Sequence, residues 1–146
     1  MPHVTLQIAA NGPLVDLQIG VSQPRQQALQ AAAQPIPSAI PVRGLIDTGA
    51  SCTCVDPSIL QALQLQPTGT SPIHTPSTVS GAPHIAKQFD VRIVLVHPKL
   101  SLTFWTMPVI ESQLTHQGIH VLIGRDVLTN CLFHYDGQSG LFSLAF

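Results

Sequence analysis

Charge is scarce in this chain. Only 9% of its residues are Asp, Glu, Lys or Arg, and six basic against seven acidic side chains leave a formal net charge of −1. The basic residues form no run and do not interleave with aromatics, which argues against a nucleic-acid partner. No stretch approaches the roughly 18 apolar residues that a membrane-crossing helix needs. The opening segment, Met1 to Ile8, lacks a basic segment followed by an apolar core, so no signal peptide is expected. Cysteine is rare too: Cys52, Cys54 and Cys131. An odd number without an export signal implies reduced thiols and a cytoplasmic setting. Cys-x-Cys is not a zinc-knuckle spacing, and one further cysteine completes no site.

Apolar residues, by contrast, make up 45% of the 146. That length implies one domain, residues 1–146, able to bury roughly 68–70% of its unfolded surface without a disulfide or metal. So few charges on so much apolar surface hint at oligomerisation.

Val4, Leu6 and Ile8 alternate with polar residues, as do Val15, Leu17 and Ile19, and Asn11-Gly12-Pro13 between them predicts a β-hairpin. Residues 21–41 turn to Gln, Ala and Pro. Two or three helical turns fit within Arg25 to Gln34, but the flanking prolines mark an exposed insertion. Asp56-Pro57 predicts a capped helix start, with Ile59, Leu60 and Leu63 on its apolar face. Phe89, Val91, Ile93 and Leu95 give the clearest strand. Leu100 to Phe104, Val121 to Ile123 and Leu141 to Phe146 supply further strands, and Arg125 to Asn130 a short helix. Many short strands without a βαβ rhythm predict a mainly β fold, a closed antiparallel barrel with one or two short helices.

The chemistry concentrates in Leu45-Ile46-Asp47-Thr48-Gly49-Ala50-Ser51. A carboxylate at the end of an apolar strand is costly without partners or a task. Thr48 offers a hydroxyl that can lock the loop, and Gly49 allows close approach of a ligand backbone. One Asp cannot serve as both acid and base toward a single water; two sharing a proton can. The chain has one Asp-Thr-Gly and no room for a second lobe, so the arithmetic requires a symmetric homodimer with an Asp47 from each subunit. Alone, the tripeptide also fits an ordinary strand-to-turn loop with Asp capping its own backbone. Asp126 fits a helix start, favouring the N-terminal dipole, better than a second catalytic acid. His116 and His120 stand four apart, but Gly118 between them argues against a helical metal pair.

Four segments, in order, resemble the retropepsins, the retroviral-type aspartic proteases. They are Pro13 to Gly20, an early strand; Gly44 to Ser51, the catalytic loop; Thr78 to Ala82 before Phe89 to Leu95, a flap and its exit strand; and Val121 to Leu128, a bracing motif with Gly124 77 positions after Asp47. The resemblance implies an aspartic endopeptidase that is active as a homodimer. It would need neither metal nor cofactor, and would bind a peptide or protein substrate in extended form. Asp47 would be catalytic, Thr48 would bond across the dimer axis, and Gly49 would offer its carbonyl to substrate. Val79, Ser80 and Gly81 would form the flap tip, and Gly124 and Arg125 would brace the loop. Val4 to Ile8 and Leu141 to Phe146 would interleave with the partner's termini. The sequence departs from the viral pattern in its long 21–41 insertion and at Ser51, where many viral members carry an Asp paired with the Arg matched by Arg125. Ala50 matches the viral pattern and lacks the hydroxyl of two-lobed pepsins, which predicts a mildly acidic optimum. The competing expectation is a peptide-binding or dimerisation module that keeps the barrel without turnover.

Overall fold

Alternation decides the central strand. In β2 (Leu14–Val21), the side chains of Val15, Leu17, Ile19 and Val21 all point inward and are almost completely buried, while Asp16 and Gln18 face out. The computed structural model describes residues 1–74 and 82–146. One flank of β2 pairs antiparallel with β3 (Ile40–Ile46), and the other with β6 (His84–Leu95). β6 continues to β7 (Leu102–Glu111), β7 to β4 (Cys54–Val55), and β4 to β8 (Val121–Ile123). β8 returns to β3, so six strands close into a ring, with β5 (Gly69–Ile73) attached to β6. The pairs β3–β8 and β4–β7 are parallel, and the rest of the ring is antiparallel. The fold is therefore a mainly β closed barrel. Full closure leaves no open edge within the ring itself.

Inside it, Leu17, Ile19, Val91, Ile93, Val109 and Ile123 form a continuous apolar core. Each fully buried aliphatic side chain of this kind contributes about 1.5–3 kcal/mol. α2 (Pro57–Ala62) presses Ile59 and Leu60 onto that core, and α3 (Arg125–Leu128) adds Val127. The start of α2 is set as its sequence demands, with Pro57 in the first turn and the Asp56 carboxylate accepting from Ser58 N–H at 2.9 Å. The insertion carries α1 (Gln23–Ala31), which buries no side chain, since its Gln-rich sequence offers no apolar stripe. Among the described residues, no helix is long and apolar enough to cross a membrane.

Three expectations change. β1 (His3–Gln7) does not form a hairpin with β2; the segment between them carries only an isolated Ala9–Gly12 bridge, with Gly12 at φ +117°. β1 pairs instead with β10 (Leu141–Ala145), from His3 opposite Ala145 to Gln7 opposite Leu141. Second, β10 is flanked on its other side by β9 (Leu132–Asp136), a strand that sequence alone did not single out. With β1 and β9 of its own chain on both sides, β10 is fully paired within the described chain, and the outer edges of this sheet belong to β1 and β9. Third, the strand expected over Leu100 to Phe104 starts at Leu102 and runs on to Glu111 as β7, whose pairing with β6 slips between Val91 and Ile93. β5 contains Pro72, and such a strand is tolerated because it pairs on one side alone. Phe142 and Leu144 are 1% exposed and join the terminal sheet to the barrel core.

Candidate active site

Asp47 is the first residue beyond β3, where the strand is held on both sides. Ile46 N–H donates to the Pro13 carbonyl at 3.0 Å, and Asp47 N–H to the Ile123 carbonyl at 3.0 Å. The carboxylate is half-buried, and its Oδ1 accepts Gly49 N–H at 2.8 Å. Ala50 N–H closes the turn onto the Asp47 carbonyl at 3.2 Å. A side chain at position 49 would start 3.1 Å from Asp47 Oδ1, so glycine keeps the carboxylate uncrowded. Thr48 and Gly49 are exposed at the apex.

The loop is tied from beneath by the segment after β8. Arg125 N–H donates to the Ala50 carbonyl at 2.9 Å, and Arg125 Nη1 to the Thr48 carbonyl at 2.9 Å. With Ser51 in place of an acid, the guanidinium thus reaches the loop's backbone. Gly124 lies so close beneath Cys52 that a Cβ there would stand 2.5 Å from the Cys52 carbonyl carbon. No side chain fits in that gap.

Two residues that sequence analysis did not bring together complete the attachment. Thr53 is fully buried, and its N–H and hydroxyl both donate to Asp126, at 2.8 Å (Oδ2) and 2.7 Å (Oδ1). Its Oγ1 in turn accepts Gly124 N–H at 3.1 Å, and Asp126 Oδ1 also takes its neighbour Val127 N–H at 2.9 Å. Asp126 is therefore occupied by structural donors. The signal was faint in the sequence: one hydroxyl residue between two cysteines, and one acid at a helix start.

Beside the loop, Leu45, Leu122 and Cys54 stand in register across β3, β8 and β4, each half-buried. They pack against a small cluster of Leu14, Leu114 and Ile119, apart from the barrel core. An apolar row two residues from a carboxylate is suited to gripping an apolar side chain. Burial pushes the Cys54 thiol up to about 12, helped by the neighbouring Cys52 thiol and by the Asp126 and Asp47 carboxylates. A separate cavity of about 200 Å³, between α2 and the β6–β7 pair, is lined by Leu60, Leu65, Phe89, Lys87 and Glu111 and by none of the loop residues. Val79, Ser80 and Gly81, the expected flap tip, lie outside the described residues. Among the described residues, no group of three His, Cys, Asp or Glu side chains converges as a metal set. His116 sits in a single 3₁₀ turn (Thr115–Gln117) ended by Gly118 at φ 74°, so no helix carries it with His120.

Comparison with known proteins points the same way. The aspartyl protease family profile matches residues 37–127, more than half of the chain. A search of curated proteins finds no significant relative. Among solved structures, a retropepsin-like aspartic protease from Rickettsia conorii is similar over 99% of this chain and 90% of its own, at 15% identity and a TM-score of 0.58. The EIAV protease, in complex with an inhibitor, matches at 14% identity and a TM-score of 0.42, over 81% of this chain and 86% of its own. The retroviral protease-like domain of Ddi1 from Leishmania major matches at 12% identity and a TM-score of 0.41, over 86% and 82%. On its profile match and its closed barrel, this chain belongs to the aspartyl protease family and has a retropepsin-like fold.

Proposed function

We propose that the chain is an aspartic endopeptidase, assembled when two copies bring their Asp47 carboxylates together. One carboxylate, ionised, takes a proton from a water molecule, while the protonated partner supports the carbonyl oxygen under attack. The observation that carries this reading is the position of Asp47: half-exposed at the end of β3, on a loop tied by Arg125 and Gly124, with Thr48 and Gly49 exposed beside it. One chain supplies one such carboxylate, and the exposed apex supports a second copy meeting it there.

In this reading the whole of residues 1–146 is one protease domain with an insertion at 21–41. A peptide binds extended across the loops, Gly49 offers its carbonyl, and residues 79–81 close over the substrate. The row of Leu45, Cys54 and Leu122 favours an apolar side chain next to the scissile bond. Three free thiols support a reducing, cytoplasm-like setting.

The terminal sheet favours a second reading. Since β10 is paired on both sides within the described chain, a partner would extend this sheet at the edges of β1 or β9. If two copies do not assemble, the dyad is not formed and the barrel serves as a peptide-binding module. Cleavage of a mixed peptide library between pH 3 and 7, with the native chain and with Asp47→Asn, separates the two. Activity that rises with chain concentration and vanishes in the variant supports the protease. No cleavage at concentrations where sedimentation finds a dimer refutes it.

A further inference from the structure

Two of the three cysteines flank Thr53, the residue that fastens the catalytic loop. Both thiols are free and half-exposed. Cys54 Sγ turns back toward its neighbour and lies 3.9 Å from the Cys52 carbonyl oxygen. Side chains two apart on a fully extended chain lie about 6.6 Å apart along it; here the chain bends at Cys52 before β4 begins at Cys54. A disulfide requires Cβ atoms roughly 3.5–4.5 Å apart. Joining the two sulfurs therefore means drawing residues 52 and 54 together and buckling residue 53.

The structure resists that movement in three places. Thr53 is tied to Asp126 by both its N–H and its hydroxyl, its Oγ1 holds Gly124 N–H, and Cys52 lies directly against Gly124. The same contacts support the Asp47 loop, since Arg125 follows Gly124 and holds the Ala50 and Thr48 carbonyls. A Cys52–Cys54 bond therefore pulls on the same contacts that brace the loop.

We propose that Cys52 and Cys54 form a reversible oxidation site, and that their disulfide detaches the catalytic loop from its brace and silences the enzyme. The oxidant class is a small-molecule disulfide. The Cys52 thiol loses its proton and attacks one sulfur of the disulfide RSSR, whose S–S bond breaks and releases one RSH. Cys54 then attacks Cys52 Sγ, giving up its proton as the mixed disulfide breaks and the second RSH leaves. The protein is oxidised by two electrons and RSSR is reduced to two thiols. Cys54, whose partial burial holds its proton more tightly, makes the second step the slow one.

The switch rests on the protease reading, so its test includes readouts that do not depend on cleavage. The Cys131→Ser chain, which retains only these two thiols, is treated with oxidised glutathione. It is followed by intact mass, peptide mapping and amide exchange, with peptide cleavage measured in parallel. The expected result is a Cys52–Cys54 crosslink, faster exchange across residues 47–54, and cleavage lowered on the order of 100-fold, all reversed by dithiothreitol. In Cys54→Ser the reaction should stop at a glutathione adduct on Cys52. Failure to crosslink, or a crosslink that leaves exchange unchanged, overturns the proposal. A reduced chain that cleaves nothing refutes the protease reading instead, and the crosslink and exchange results still decide whether oxidation releases the loop.

Discussion

Replacing Thr53 with Val tests whether a single buried hydroxyl holds the Asp47 loop in place. The exchange keeps the shape of a side chain that is 0% exposed and deletes only its polar atom. Two bonds go with that atom: the 2.7 Å donation to Asp126 Oδ1 and the 3.1 Å acceptance from Gly124 N–H. The first is a bond to a charged group, about 1.5–3 kcal/mol, and the second leaves a buried N–H unsatisfied, about 1–3 kcal/mol. The two overlap because they share one oxygen. Thr53 N–H also keeps its own bond to Asp126. The expected loss is about 3 kcal/mol. Thr53→Ser preserves both bonds and removes one methyl, for about 1 kcal/mol. Urea unfolding followed by far-ultraviolet circular dichroism, at one fixed chain concentration, measures both variants against the native chain. The Val variant should also lose cleavage activity under conditions where it remains folded. A Val variant within about 0.5 kcal/mol of native would refute the reasoning, because it would mean that the hydroxyl carries no weight at this site.

Asp47→Asn should abolish peptide cleavage while leaving the unfolding midpoint nearly unchanged, as read by the same two assays. Gly124→Ala places a Cβ 2.5 Å from the Cys52 backbone, which side-chain repacking cannot relieve; a loss of at least about 1–3 kcal/mol is expected, and near-native stability would mean that the loop yields easily. Burial acts to raise the Asp56 pKa, but donation from Leu114 N–H, the Ser58 hydroxyl and N–H, and Thr115 N–H outweighs it and holds the carboxyl below its ordinary range. A carboxylate depressed in the native state contributes stability that is present above its unfolded pKa and lost as pH falls through the folded one. Native stability should therefore decline on acidification below the ordinary carboxylate range, and Asp56→Asn should flatten that decline in unfolding measured at successive pH values. An unchanged slope would show that other acids govern the acid limb.

What the sequence made legible was local. The alternation of Phe89, Val91, Ile93 and Leu95 named a strand because each side chain reports its own face, and Asp56-Pro57 named a helix start because cap and first turn are contiguous. The Asp47 loop was visible for the same reason. Pairing partners were not. The pattern Val4, Leu6, Ile8 specifies an extended segment but not its neighbour, and Asn11-Gly12-Pro13 invited a hairpin that gave way to a partner far along the chain. Leu132 to Asp136 forms a strand although Leu132 and Tyr135 remain exposed, because β10 supplies the backbone bonds that its own pattern did not predict. Thr53 and Asp126 are 73 residues apart, and neither carries a motif that points to the other. Their partnership depends on β4 and α3 arriving side by side, which is a property of the closed ring.

That β1 finds its partner in β10 also bears on how the chain is made. Val4 must wait for Leu144, and Leu6 for Phe142, so β1 leaves the ribosome and stays unmatched while the whole barrel between them is synthesised. At about 5–20 residues per second that interval is on the order of ten seconds. The ring adds to the delay, since β3 needs β8 and β2 needs β6 before it can close. Long-range pairings of this kind slow folding and leave strand edges open to wrong neighbours. Nascent chains stalled before residue 141 should therefore remain protease-sensitive across β1, and protection should arrive abruptly once β10 is released.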